Sequence, residues 1–162
     1  MSNKYHSQFG QDEFIYQNFF KDKKEPGFFL EIGADDGIRF SNCCFFEKEL
    51  NWNGLAIEAR QTAYKKLTEN RKCICENLVL SNTEEETDFM DIKGYGLGLS
   101  GLVNKYDQRH KFRIEQEIKH KENKGSEIYK VNTVKLSTLI VCKDLLHQHS
   151  CYIITITGFM NN

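Results

Sequence analysis

The sequence predicts an α/β fold built on a parallel sheet, and three observations carry that prediction. Short apolar runs at 28–32, 54–59 and 73–80 alternate with polar segments of helical length, and parallel neighbours need the long crossover that a helix supplies. The first run closes on Glu31-Ile32-Gly33, an acid and a glycine where a strand of such a sheet turns toward its helix. Of the 162 residues 40% are hydrophobic, with twelve Phe and seven Tyr, so one compact domain with an aromatic core is expected and intrinsic disorder is not.

Residues 10–22 carry Phe14, Ile15, Asn18 and Phe19 at the spacing of one helix face. Pro26 and Gly27 end that segment, and Phe28-Phe29-Leu30-Glu31-Ile32 reads as a buried parallel strand. Ser41 and Asn42 can cap a helix to about Leu50, with Phe45, Phe46 and Leu50 toward the sheet. The run 54–59 reads as a second strand, 61–71 as a helix with Ala63, Tyr64 and Leu67 inward, and 73–80 as a third strand. Their crossovers are expected to be right-handed.

The alternation then falters. An acidic stretch at 83–91 leads into a short strand, and the glycine-rich 93–101 reads as a mobile loop with no GKS or GKT of a Walker motif. Residues 106–122, with Tyr106, His110, Arg113, Glu117 and His120 at helical spacings, predict a solvated helix. Alternation over 128–134 predicts a strand, Leu139, Ile140, Leu145 and Leu146 a helix over 137–147, and the β-prone run 151–157 a last strand.

With 22 Lys+Arg against 23 Asp+Glu the formal charge is −1, so no nucleic-acid partner is expected; the basic stretch 119–124 is itself interrupted by Glu122. No apolar stretch approaches bilayer length and the N-terminal residues lack the apolar core of a signal peptide. No membrane segment and a cytoplasmic or otherwise intracellular location are therefore expected. Cys43, Cys44, Cys73, Cys75, Cys142 and Cys151 form no CxxC pair and no secreted-scaffold spacing, which predicts reduced thiols and no metal site. Cys73 and Cys75 fall two apart on the third strand, on one face.

The stretch that points to chemistry is Glu31-Ile32-Gly33-Ala34-Asp35-Asp36-Gly37. Gly33 and Gly37 allow a turn with no side chain in a ligand's way. Glu31, Asp35 and Asp36 repel phosphate but suit a ligand with positive charge and hydroxyl or amine donors, such as S-adenosylmethionine. Glu58 closes the second strand about 20 residues further on, where an acid accepts ribose hydroxyls in doubly wound sheets. The competing reading is an ordinary turn with solvated acids; a calcium loop would need alternating oxygen ligands and a closing Glu.

Together with SQFGQDEF at 7–14, SNCCFFEKELNWNGLAIEA at 41–59, Asn77 in ENLVLSN and LSGLVNKYD at 99–107, this loop resembles the FkbM-type methyltransferases, which are class I S-adenosylmethionine-dependent enzymes. The similarity treats 1–162 as a single domain and is most specific up to Ala59, where Gly10, Gln11 and Asp12 belong to a motif that precedes the domain. Asp35 stands where the family usually has Asn. The resemblance implies a Rossmann-like class I methyltransferase three-layer sandwich, S-adenosyl-L-methionine as cofactor and O-methylation of a small hydroxyl-bearing acceptor. It further implies that Glu31, Gly33, Ala34, Asp35 and Gly37 line the cofactor site, that Glu58 holds the ribose and that Asn77 lies near the adenine.

Two departures follow from the same comparison. The family's fourth strand ends in acids beside the reacting methyl group, and this chain has Thr155 and Thr157 there; an acid that takes a proton contributes typically about 10²–10⁴-fold. The family also continues through a helix and three more strands, which implies a C-terminally truncated, incomplete sheet whose edge 151–157 invites self-association. No catalytic residue is assigned, since His6, Asp12 and His110 read as structural or surface groups. A methyltransferase therefore stands beside an alternative, a cofactor-binding remnant or interaction module of the same fold, and Thr155-Ile156-Thr157-Gly158 is the stretch that separates them.

Overall fold

Phe28–Ile32 forms the buried strand expected of it, in a computed structural model that describes residues 4–94, 96–119, 123–142 and 152–156. The elements run α1 (Gln11–Ile15, continued by a π-helical turn, Tyr16–Phe20), β1 (Phe28–Ile32), α2 (Cys44–Leu50), β2 (Asn53–Ile57), α3 (Gln61–Asn70), β3 (Ile74–Glu76) and β4 (Val79–Leu80). They continue with β5 (Glu86–Gly94), β6 (Gly101–Leu102), α4 (Gln108–Ile118), β7 (Asn123–Val134), α5 (Leu136–Cys142) and β8 (Tyr152–Ile156). The fold is mixed α/β, with a parallel sheet in one compact unit, residues up to Leu78 joined by the chain from Ile140, and a mixed sheet in a second unit, Val79–Leu139.

In the first unit the strand order is β3-β2-β1-β8, and every pairing is parallel. Strand alternation puts Phe29 and Glu31 of β1 on one face with their register partners Gly54 and Ala56 of β2. Helices α2 and α3 cover that face. Phe45 and Phe46 of α2 pack on Phe29, Cys43 and Trp52, and Leu67 of α3 packs on Ala34 and Ala56. The N-cap of α2 is Cys43 rather than the expected Ser41 or Asn42, but Ser41 Oγ, just before it, accepts the N–H groups of Cys43 at 3.2 Å and Cys44 at 2.9 Å.

The N-terminal helix departs from its expected stripe. Ile15, Tyr16 and Phe20 pack on the aromatic cluster, while Phe14 and Phe19 are 62% and 67% exposed. The chain widens into a π turn at Tyr16, and the extra residue per turn rotates the inward face. The expected third strand also divides. β3 stops at Glu76 because the Asn77 side chain turns back to the carbonyls of Glu58 and Ala59, and Val79–Leu80 pairs with β7 in the other sheet.

The second unit orders its strands β4-β7-β5-β6, with β5 antiparallel to both neighbours. The short strand expected after the acidic stretch is nine residues long, because Thr87, Phe89 and Asp91 alternate into a buried face. Among the described side chains of β7 Thr133 is buried and Ile128 is exposed. Within the glycine-rich segment the described residues include a short helical turn. Leu97–Leu99 makes a 3₁₀ turn, Leu99 is buried with Ile92 and Ile114, and Ser100 Oγ accepts the Ile92 N–H at 2.9 Å. Helix α4 is the solvated helix expected, buried only through Ile114 and capped by the Asp107 side chain on the His110 N–H. Leu139 anchors α5. His120, Leu145, Leu146, Cys151 and Thr157 lie outside the described residues. No helix among the described residues is long and apolar enough to cross a membrane.

Candidate functional site

The site is built where β1 and β2 end. The N–H groups of Gly33 and Ala34 both donate to the Ile57 carbonyl, at 2.9 and 3.0 Å, which ties the loop after β1 to the last residue of β2. Gly33 at φ 77° and Asp35 at φ 50° take left-handed backbone, and the turn closes with the Gly37 N–H on the Ala34 carbonyl at 2.8 Å. The loop then folds over Glu58. The Asp35 N–H donates to Glu58 Oε2 at 2.8 Å, while Glu58 Oε1 accepts the Arg60 N–H at 2.9 Å and its Nε–H at 3.1 Å. Asn77 Nδ2 donates to the carbonyls of Glu58 at 2.7 Å and Ala59 at 3.0 Å.

Gly33, Ala34, Asp35, Glu58 and Asn77 are thus brought together as one constellation. Arginines bracket it: Arg60 Nη2 lies 2.5 Å from Asp35 Oδ1 and Arg39 Nη2 lies 2.8 Å from Asp35 Oδ2. Burial pushes the Asp35 carboxyl up, but the hydrogen bonds and charges of Arg39 and Arg60 outweigh it and hold the carboxyl below its usual range. At Glu58 burial prevails over Arg60, and the carboxyl is raised. Arg60 and Arg39 were not singled out by sequence; the available signal is guanidinium chemistry two residues past a strand-end acid, in a chain whose basic residues are mostly lysine.

Glu31 and Gly37, also expected to line the cofactor site, pack against Arg71. Glu31 shares the face of Phe29, beneath the helices, and its side chain is fully buried. It accepts from Ser41 Oγ at 2.8 Å, the Asn42 N–H at 2.9 Å and Arg71 Nη1 at 3.0 Å. Gly37, at φ 80°, is bare because a Cβ would stand 2.7 Å from Arg71 Cγ and from Leu67 Cδ1; the close approach is made by Arg71. Arg71 also meets Glu47, with Nε 2.5 Å from Oε2.

Asp12 has the structural role expected, buried and accepting the N–H groups of His6, Ser7 and Glu13 and the Ser7 hydroxyl. His110 stacks on Tyr106 with ring centroids 4.5 Å apart. Among the described residues no group of three or more His, Cys, Asp or Glu is arranged to hold a metal ion.

The carboxylates give the fold a pH dependence of defined sign. Burial raises the Glu47 carboxyl, and the Arg71 charge with the Lys72 N–H and Arg71 hydrogen bonds lowers it further than that, so it titrates below its ordinary 4.5. Such a group stabilises fully above 4.5, and the contribution is lost as pH falls through the folded value. Glu58 acts in the opposite sense, since its raised carboxyl penalises the folded anion until pH falls through that value. Glu47→Gln is expected to flatten the acid limb of a stability–pH curve below about 4.5. Urea midpoints taken from neutral pH downward check this, and an unchanged acid limb would refute it.

No family model, curated protein or solved structure matches the chain.

Proposed function

We propose that the parallel-sheet unit binds S-adenosyl-L-methionine as a Rossmann-like class I methyltransferase of the FkbM type does, and that the reaction is O-methylation of a small hydroxyl-bearing acceptor. The observation that carries this reading is the strand order β3-β2-β1-β8. It reverses direction at β1, and ligands of open α/β sheets sit outside the carboxyl ends at such a switch point. The loop from Gly33 leaves β1 there and Glu58 follows β2 there.

The donor set suits the cofactor. Glu58 Oε2 accepts one bond, from Asp35 N–H, and a carboxylate oxygen has room for a second, so a ribose hydroxyl has an acceptor. Glu58 would hold the ribose, the Gly33–Ala34 backbone would allow close approach, and Asn77 would frame the adenine side. The cofactor supplies an already activated methyl group, and the chain's task is to orient the acceptor oxygen toward it.

A second reading, binding without turnover, is favoured by the β1/β8 ladder, in which Thr155 stands opposite Glu31 on the strand where the family carries acids. Calorimetric titration with S-adenosylmethionine and S-adenosylhomocysteine tests the binding common to both readings. Both ligands are expected to bind, and Glu58→Gln, checked for folding by circular dichroism, is expected to weaken them by about tenfold or more, the worth of a charge-assisted hydrogen bond. A folded wild type that gives no heat with either ligand overturns both readings; binding without methyl transfer across an acceptor screen leaves the second.

A further inference from the structure

We propose that Arg60 sets the sugar specificity of the Glu58 site, closing one carboxylate oxygen so that the site reads a single ribose hydroxyl. The inference rests on the S-adenosyl-L-methionine reading above and deepens it. A carboxylate has about four lone-pair sites, two on each oxygen, and at Glu58 they are filled unequally. Oε1 accepts two hydrogen bonds, from the Arg60 N–H at 2.9 Å and from Arg60 Nε–H at 3.1 Å. Oε2 accepts one, from the Asp35 N–H at 2.8 Å. Among the described residues this leaves one acceptor position for a ligand, on Oε2.

Arg60 is held against Oε1 at both ends of its side chain. It is the N-cap of α3, and its carbonyl accepts the Tyr64 N–H at 2.9 Å, so its own N–H stays aimed at Glu58. At the far end Nη2 lies 2.5 Å from Asp35 Oδ1, and Asp35 is itself fixed by Arg39 Nη2 on Oδ2 at 2.8 Å. The Arg60 side chain is 12% exposed and that of Glu58 6%, so their ion pair is largely out of water and weakly screened. A hydroxyl that displaced Nε–H from Oε1 would exchange a charged donor for a neutral one and draw the guanidinium off Asp35 as well. The arginine therefore keeps Oε1, and the ligand takes what Oε2 offers.

The consequence is a specificity. A ribose diol can give one hydroxyl to each oxygen of an open carboxylate, which then discriminates against loss of either. With Oε1 closed, one hydroxyl is read and the other is not. The site accepts adenosine-type ligands that lack the second hydroxyl nearly as well as the parent. Removing the Arg60 side chain opens one lone-pair site on Oε1, because the backbone N–H keeps the other, and the same carboxylate then reads both hydroxyls.

Calorimetric titration of the folded chain with S-adenosylhomocysteine and with its 2′-deoxy and 3′-deoxy analogues tests this. In the wild type one analogue is expected to bind about tenfold or more weakly than the parent, the loss of a hydrogen bond to a charged acceptor, and the other within about threefold of it. In Arg60→Ala, checked for folding by circular dichroism, both analogues are expected to bind about tenfold or more weakly than the parent. A wild type that binds the parent but loses about tenfold with both analogues, or with neither, overturns the role of Arg60 and leaves cofactor binding standing. So does an Arg60→Ala variant that keeps the wild-type pattern or that erases a discrimination instead of adding one. A folded wild type that does not bind S-adenosylhomocysteine removes the cofactor reading and this inference with it. The wild-type comparison stands even if the variant fails to fold.

Discussion

Arg71→Met is expected to destabilise the parallel-sheet unit by about 3–5 kcal/mol, the range for removing one partner of a buried ion pair. The Arg71 side chain is fully buried. Its Nη1 donates to Glu31 Oε2 at 3.0 Å, the Gly37 carbonyl at 3.0 Å and Ser41 Oγ at 3.2 Å, and its Nε meets Glu47. Its guanidinium carbon also lies 5.2 Å from the Phe29 ring centre. Methionine keeps much of the volume but leaves the Glu31 carboxylate enclosed without a cation, together with an unpaired Gly37 carbonyl. Arg71→Lys is expected to recover only part of the loss, since one ammonium cannot serve two carboxylates and a carbonyl in fork geometry. The double variant Glu31→Gln, Arg71→Met is expected to be more stable than Arg71→Met alone, because the fully enclosed Glu31 position no longer carries an uncompensated charge, while Glu47 keeps the N–H groups of Lys72 and Cys73. Urea unfolding followed through Trp52, which is buried in this unit, measures all three. A loss below about 1 kcal/mol for Arg71→Met would show that Glu31 finds water or another cation, and the buried network would not hold the fold.

The same network marks where sequence reasoning runs out. β1, α2 and α3 were legible because their apolar spacing is local: Phe28 to Ile32 as a continuous run, Phe45 with Phe46, Ala63 with Leu67. The constellation of Gly33, Ala34, Asp35, Glu58 and Asn77 was legible because each residue sits at or just beyond a strand end. The burial of Glu31 is legible in strand parity, since Phe29 and Glu31 share a face and Phe29 is a core residue. What the sequence lacks is Arg71, forty residues away, which makes burial of that acid tolerable. Other misses have the same origin. The division of 73–80 depends on the Asn77 side chain returning to the end of β2, and the length of β5 depends on pairing with β7 from Glu86 opposite Asn132 onward. The π turn at Tyr16 is a small rotation with a large effect on which phenylalanines are buried, and a fixed helical period does not anticipate it.

Gly54→Ala is expected to lower the stability of the same unit by about 3 kcal/mol, the upper part of the usual range for overpacking a core. Gly54 faces Phe29 across the β1/β2 ladder. A Cβ at Gly54 would lie 2.3 Å from two carbons of the Phe29 ring and 2.4 Å from a third, so the flat of the ring occupies the space where a side chain would stand. Phe29 has little freedom to move aside, being fully buried among Cys43, Phe45, Phe46 and Trp52, and close-packed interiors transmit such a displacement. The ring would be driven into the aromatic layer beneath α2, or the ladder would open. Phe29→Leu alone is expected to destabilise by leaving a partial void. In the double variant the smaller side chain makes room for the methyl group, so the two losses are expected to sum to at least about 1 kcal/mol less than their separate values, a coupling within the range for residues in contact. Simple additivity in urea unfolding would mean that the Phe29 ring does not lie over Gly54. The glycine in the second strand is therefore a packing requirement imposed from the neighbouring strand, whereas Gly33 answers to backbone conformation; only register distinguishes the two.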